Sequence, residues 1–265
     1  MKKLKIAVSI GTCDEASRQF ILAALDDPAM LELCSPAVME EDAAFRDLEA
    51  GRADALVFAG MTETTKRPAG AFEIIVTDKT NVVVLDKEPS AEDIIRLRDI
   101  LERDFDIRSP RIAIVQESQM QNPDLASQIT AEQGINTYGP YSLEQIMVED
   151  AVWHFDGIVT TDKALAQKLV SQLSEKAPVR YFAGKETVVT AACLPAQMDE
   201  EEGLADVSWL THPFFVAIDI IRNRAFYDEA RQDILPKLFH DKREDRKKDE
   251  APQGIPNNDN TEQAS

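Results

Sequence analysis

Histidine and cysteine do much of the metal-binding, nucleophilic and acid–base chemistry of proteins, and this chain has only three of each. His154, His212 and His240 are widely separated and fit no metal-ligand spacing, so they read as surface or helix-capping residues. Cys13, Cys34 and Cys193 form no C-x-x-C pair, which removes a zinc knuckle and a dithiol redox pair. Cys13 stands near a helix start, where a thiol pKa is lowered, but no basic partner adjoins it in sequence. Gly11 closes the first strand, and Thr12 or Asp14 can cap the helix that follows. Lys66 and Arg67 are two adjacent cations in the loop Gly60–Gly70, able to meet an anion by charge.

The formal net charge is −19. Phosphate backbones and anionic lipid need clustered Lys and Arg, so nucleic acid and membrane surfaces are excluded as partners. Hydrophobic residues make up 44% of the 265-residue chain, enough for a large core. No run of 18 apolar residues occurs, so no membrane-spanning segment is expected. The start Met1-Lys-Lys-Leu-Lys-Ile-Ala-Val-Ser-Ile10 has too short an apolar stretch for a signal peptide and reads as a first strand, in a cytoplasmic protein.

Strand-like and helix-like runs alternate from end to end. Leu4–Ile10, Asp54–Ala59, Arg111–Val115, Gly157–Thr161, Val179–Phe182 and Thr187–Ala192 read as strands. Phe72–Val76 and Asn81–Leu85 read as adjacent strands joined by the turn Thr77-Asp-Lys-Thr80. Glu15–Leu25, Ala91–Phe105 and Leu125–Glu132 read as helices, with Ser90 and Asp93 forming a capping box and Gly134 a stop signal. Asp162 caps a further helix that runs through Leu173. Phe214–Phe239 is a long final helix that Pro236 is expected to end or kink. The charged run Asp241–Glu250 extends it by a turn or two, and the polar remainder is expected to be disordered. The repeated β-then-α order predicts an α/β fold with a largely parallel sheet.

Five stretches carry a resemblance: Asp27-Pro-Ala-Met-Leu-Glu-Leu-Cys-Ser-Pro36, Ser109-Pro-Arg-Ile-Ala-Ile114, Gly134-Ile-Asn-Thr-Tyr-Gly-Pro-Tyr141, His154-Phe-Asp-Gly-Ile158 and Val216-Ala-Ile-Asp-Ile-Ile-Arg-Asn-Arg224. Together they resemble the 4-hydroxythreonine-4-phosphate dehydrogenase family of pyridoxal phosphate biosynthesis, over about residues 4–225. The resemblance implies an isocitrate/isopropylmalate-dehydrogenase-like fold: two α/β domains, a cleft between them, and a homodimer. It places residues 1–60 in the first domain, 61–204 in a central domain, 205–240 in a helix returning to the first, and 241–265 in a tail. It also implies NAD and a divalent metal, the metal polarising the reacting oxygen.

The family's chemical motifs are the parts that differ. Where relatives read Gly-Asp-x-x-Gly-x-Gly, this chain has Gly11-Thr-Cys-Asp-Glu-Ala-Ser17 and keeps only the first glycine. The Thr-Ala-Pro-x-x-Lys loop is replaced by Gly60-Met-Thr-Glu-Thr-Thr-Lys-Arg-Pro-Ala-Gly70, and the Gly-His-Thr-Glu segment after it is gone. Gly11, Thr12, Asp14, Lys66 and Arg67 are what remains to meet a substrate or anion. The three metal-ligand histidines are lost, and Asp86, Asp124 and Asp162 fall near their positions. The loop linked to cofactor binding becomes Gln197–Trp209, in which Asp199–Glu202 would repel a pyrophosphate.

Retained strands and helices with lost ligands predict a catalytically degenerate relative of the dehydrogenase. It would be a homodimer without metal or NAD, serving to bind a small molecule or protein or to build structure. Two alternatives remain: an enzyme whose cleft is rebuilt around an Asp86, Asp124, Asp162 carboxylate site for a hard cation, and a regulatory subunit of an active relative.

Overall fold

The computed structural model describes residues 3–11, 15–59, 67–117, 120–192 and 208–248. Residues 1–224 form one compact unit, and residues 225–265 a second.

The first unit is built on ten strands in one sheet. In chain order they are β1 (Leu4–Ser9), β2 (Cys34–Val38), β3 (Ala55–Phe58), β4 (Phe72–Val76), β5 (Asn81–Val84), β6 (Arg111–Val115), β7 (Asn136–Tyr141), β8 (Gly157–Thr160), β9 (Val179–Ala183) and β10 (Val188–Ala192). Their order across the sheet is β2-β1-β3-β10-β9-β4-β5-β8-β6-β7. The set β2-β1-β3-β10 is parallel, and so is β5-β8-β6-β7. Between them, β9 and β4 pair antiparallel with each other and with their outer neighbours, so the two parallel sets run in opposite directions. The largely parallel sheet is therefore present as two parallel sets, not one.

Two edge strands escaped the sequence reading. Pro36 lies inside β2, where its missing N–H would break a central strand but is tolerated at an edge. The stretch Gly134–Tyr141, read only as one that carries the resemblance, contains the opposite edge, β7, with a cis Gly139–Pro140 bond. Gly139 has φ +106, and a Cβ there would meet the Ile114 carbonyl oxygen at 2.4 Å, so only glycine fits beside β6.

Helices α1 (Glu15–Ala24), α2 (Pro28–Leu33), α3 (Glu41–Glu49), α4 (Ala91–Asp104), α5 (Leu125–Gln133), α6 (Leu143–Met147), α7 (Lys163–Leu173) and α8 (Ser208–Lys248) connect and cover the strands, with a 3-10 helix at Val148–His154. In α4, Ser90 and Asp93 complete the capping box in both directions. Its apolar stripe Ile94, Leu97, Ile100 and Leu101 is buried, at ~1.5–3 kcal/mol per side chain. The turn Thr77–Thr80 is closed by the Thr77 amide donating to the Thr80 carbonyl at 3.1 Å. α8 runs through Pro236 to Lys248, so the proline does not end it. The residues after the proline are mostly strong helix formers, and they carry the helix two turns past His240. Among the described residues no helix is long and apolar enough to cross a membrane.

One face of the sheet carries a continuous core reaching from Ile6 and Val57 through Ile74 and Tyr181 to Ile112, packed against α2, α4, α5 and the start of α8. The other face carries two separate cores. Phe45 and Leu48 of α3 pack on Phe58, Phe182 and Val189, while Ile146 of α6 and Leu165, Leu169 and Leu173 of α7 pack on Ala113, Val115 and Ile158.

A buried ionic cluster ties α4 to the β9–β10 hairpin and α8. Asp104 has no exposure, yet is fully partnered: Arg103 Nε donates to it at 2.7 Å, Arg224 Nε at 2.8 Å and the Tyr181 hydroxyl at 2.5 Å. Arg224 also donates to the Tyr181 hydroxyl at 2.8 Å and to the carbonyls of Gly184 and Thr187 at 3.0 and 3.3 Å. Burial works strongly against the Asp104 charge. The hydrogen bonds from Arg103 and Arg224, the Arg224 charge and the Tyr181 hydroxyl outweigh it and hold the carboxyl below its ordinary range. Burial, then the Asp104 charge, pushes the Tyr181 hydroxyl up, so it stays protonated and donates.

Candidate functional site

In parallel α/β sheets, ligands bind outside the carboxyl ends of the strands, where loops leave the sheet and helices begin. This fold has two such regions. The first lies beyond β1 and β3. Gly11 is exposed there at φ +71, a backbone conformation that favours glycine. Thr12, Cys13, Asp14 and Lys66 lie outside the described residues. Arg67 is described, and its Nη1 donates to Glu73 Oε2 at 3.2 Å.

The second region lies beyond the adjacent strands β5, β8 and β6, and all three aspartates fall in it. Val84 and Thr160 are in register on β5 and β8, which sets Asp86 and Asp162 each two residues past a paired position. Asp86 is 97% exposed, with Lys163 Nζ at 4.0 Å. Asp162 caps α7: its Oδ1 accepts from the Ala164 and Leu165 amides at 2.8 and 3.1 Å. Asp124 opens α5 without a capping bond from its side chain.

Neighbouring carboxylates are likewise bound to backbone. Both oxygens of Glu88 accept from the Gln121 amide, at 3.1 and 3.2 Å. Glu117 accepts from the Leu143 amide at 2.8 Å, at the start of α6. Among the described residues no three histidine, cysteine, aspartate or glutamate side chains come together to hold a metal ion. Topology thus brings Asp86, Asp124 and Asp162 to one end of the second parallel set, but not into a ligand shell. A divalent cation takes about six oxygens at close range. The described residues do not fit one, and no step through a metal follows from them.

Two of the remaining groups with potential chemistry, Cys34 and His212, have structural roles. Burial pushes the Cys34 thiol up to about 11, against a weaker pull from Lys3, so it is an inert core residue. His212 Nδ1 lies 2.8 Å from the Ala177 carbonyl oxygen. A carbonyl only accepts, so that nitrogen carries the proton. His154 is exposed. Cys193 and the acidic run Asp199–Glu202, the region implied in cofactor binding, lie outside the described residues.

The sequence reading missed Asp104 and its arginines. Its one signal was Arg224, the last residue of the stretch Val216–Arg224, which resembles the family.

No family model matches the chain. A curated 4-hydroxythreonine-4-phosphate dehydrogenase of Bacteroides thetaiotaomicron is 31% identical over an alignment of 176 residues that covers 60% of this chain and 47% of that protein. The chain thus spans about half the length of the curated relative it matches. Among solved structures, a 4-hydroxythreonine-4-phosphate dehydrogenase from Burkholderia phymatum aligns with TM-score 0.54 at 13% identity, over 83% of this chain and 99% of that one. One from Klebsiella pneumoniae aligns with TM-score 0.53 at 15% identity, over 82% and 88%. At such identities the structural likeness shows the fold alone: a mixed α/β fold shared with these 4-hydroxythreonine-4-phosphate dehydrogenase structures.

Proposed function

We propose that this chain, a divergent relative of the 4-hydroxythreonine-4-phosphate dehydrogenases, is a binding or structural homodimer that no longer carries out metal-assisted hydride transfer. The observation that supports this is the second strand-end region. Where a metal shell would need converging ligands, Asp162 is engaged as a helix cap and Asp86 points into solvent beside a lysine. Function follows the site and not the fold; Asp162 serves the fold as a cap, and Asp86 meets only solvent and Lys163. The absence of a three-ligand group among the described residues weighs against the rebuilt carboxylate site.

Metal titration tests this directly. Calorimetry with manganese or zinc, on protein stripped with chelator, should show no stoichiometric site, and stripping should leave the melting temperature unchanged. One tightly bound ion per chain, lost in an Asp86→Asn or Asp124→Asn variant, would instead establish the rebuilt carboxylate site.

The homodimer is tested by light scattering across a dilution series. A two-fold interface of well over ~1,000 Å² should hold two chains together at micromolar concentration. A folded species of the 29.5 kDa monomer mass would show that the interface is not kept.

A further inference from the structure

The two cores on one face of the sheet leave a strip between them, over β4 and β9. Glu73 and Ile75 of β4 and Arg180 of β9 are only half buried there, while Phe182 beside them is buried in the α3 core. The register sets Glu73 opposite Phe182 and Ile75 opposite Arg180, so Glu73 and Arg180 are diagonal neighbours on one face. Arg180 Nε donates to Glu73 Oε1 at 2.7 Å, Nη2 donates to the same oxygen, and the guanidinium lies 5.8 Å from the Phe182 ring centroid. Arg67 reaches the other carboxylate oxygen from the loop entering β4. That loop is held in place. Its turn closes from the Ala71 amide to the Pro68 carbonyl at 3.2 Å, and Arg96 of α4 donates to the Gly70 carbonyl. Two guanidiniums therefore converge on one carboxylate, leaving a local charge of +1 in a chain of net charge −19.

We propose that Arg67 and Arg180 form a binding site for a small oxyanion, a phosphate or a carboxylate, on the open strip between the two cores. Each guanidinium carries five N–H donors in a planar fork suited to such oxygens. Among the described residues the protein engages only Nε and Nη2 of Arg180 and Nη1 of Arg67. Glu73 has two roles: it fixes the two forks side by side, and it weakens the site by competing for them. The site uses none of the strand-end aspartates, so it stands or falls independently of the lost metal chemistry.

The test is calorimetric titration of the full chain with inorganic phosphate and, separately, succinate, at low and high salt. The expected result is one site for at least one of the two anions, weakened by salt because the pair is half exposed. Phosphate alone would mark a phosphate site, and succinate alone a carboxylate site. Arg180→Gln and Arg67→Gln should abolish binding. Glu73→Gln removes the competing charge and should tighten binding at least tenfold, whereas a merely structural ion-pair network gives no such gain. Glu73→Gln keeps both arginines, so it carries the test even if Arg180→Gln does not fold. Absence of binding to both the wild type and Glu73→Gln at low salt would overturn the proposal, as would binding unchanged in Arg180→Gln or Arg67→Gln.

Discussion

Replacing Arg224 with alanine should destabilise the fold by about 3 kcal/mol, the lower end of the cost of removing a partner from a buried ion pair, because Asp104 loses one of its two guanidiniums and keeps Arg103. Asp104 has no solvent exposure, so water cannot replace the lost guanidinium. The same change strips donors from the Tyr181 hydroxyl and from the carbonyls of Gly184 and Thr187. For a domain of this size the melting temperature should fall by roughly 10 °C. The pH dependence follows from the Asp104 carboxyl. Its folded pKa lies below the ordinary value of ~3.9, so it stabilises the fold fully above that value and progressively less as pH falls through the folded one. Without Arg224 the folded pKa rises, and acid unfolding should begin at higher pH. Urea melts of wild type and Arg224→Ala across the acid range measure both effects. A loss under 1 kcal/mol at neutral pH would mean that the cluster is not the clasp described here.

That cluster also shows where the sequence stopped being legible. Ser90, Asp93 and the stripe Ile94, Leu97, Ile100 and Leu101 could be read because a cap and its helix are local patterns. Asp162 could be read as a cap for the same reason, and the structure gives it that role. Asp104 looks like any charged residue near a helix end, since its partner Arg224 is 120 residues away and no periodicity links them. Glu73 and Arg180 are 107 residues apart and meet only because β4 and β9 pair. Pro36 hid β2 because a proline argues against a strand until an edge is known. The strand-end positions of Asp86, Asp124 and Asp162 follow from the β-then-α order, but whether their side chains converge is a three-dimensional fact no spacing encodes.

The proposed loss of metal-assisted hydride transfer should be as large in turnover as the Arg224 effect is in stability. A divalent metal contributes several kcal/mol of charge stabilisation at the transition state, and each ~1.4 kcal/mol is tenfold in rate. The described residues hold no first ligand shell. Three further departures from the family's motifs stand in the sequence, as the resemblance aligns it: the Gly-His-Thr-Glu segment is absent, two of the three glycines of the first turn are replaced, and four acids, Asp199–Glu202, stand where the resemblance implies a cofactor loop. The decisive measurement is NADH formation by the purified chain with 4-phosphohydroxythreonine and NAD, in magnesium, manganese or zinc. The expected result is no turnover above the protein-free control. Turnover within a hundredfold of the typical enzyme rate of ~10 per second would contradict the loss of hydride transfer outright.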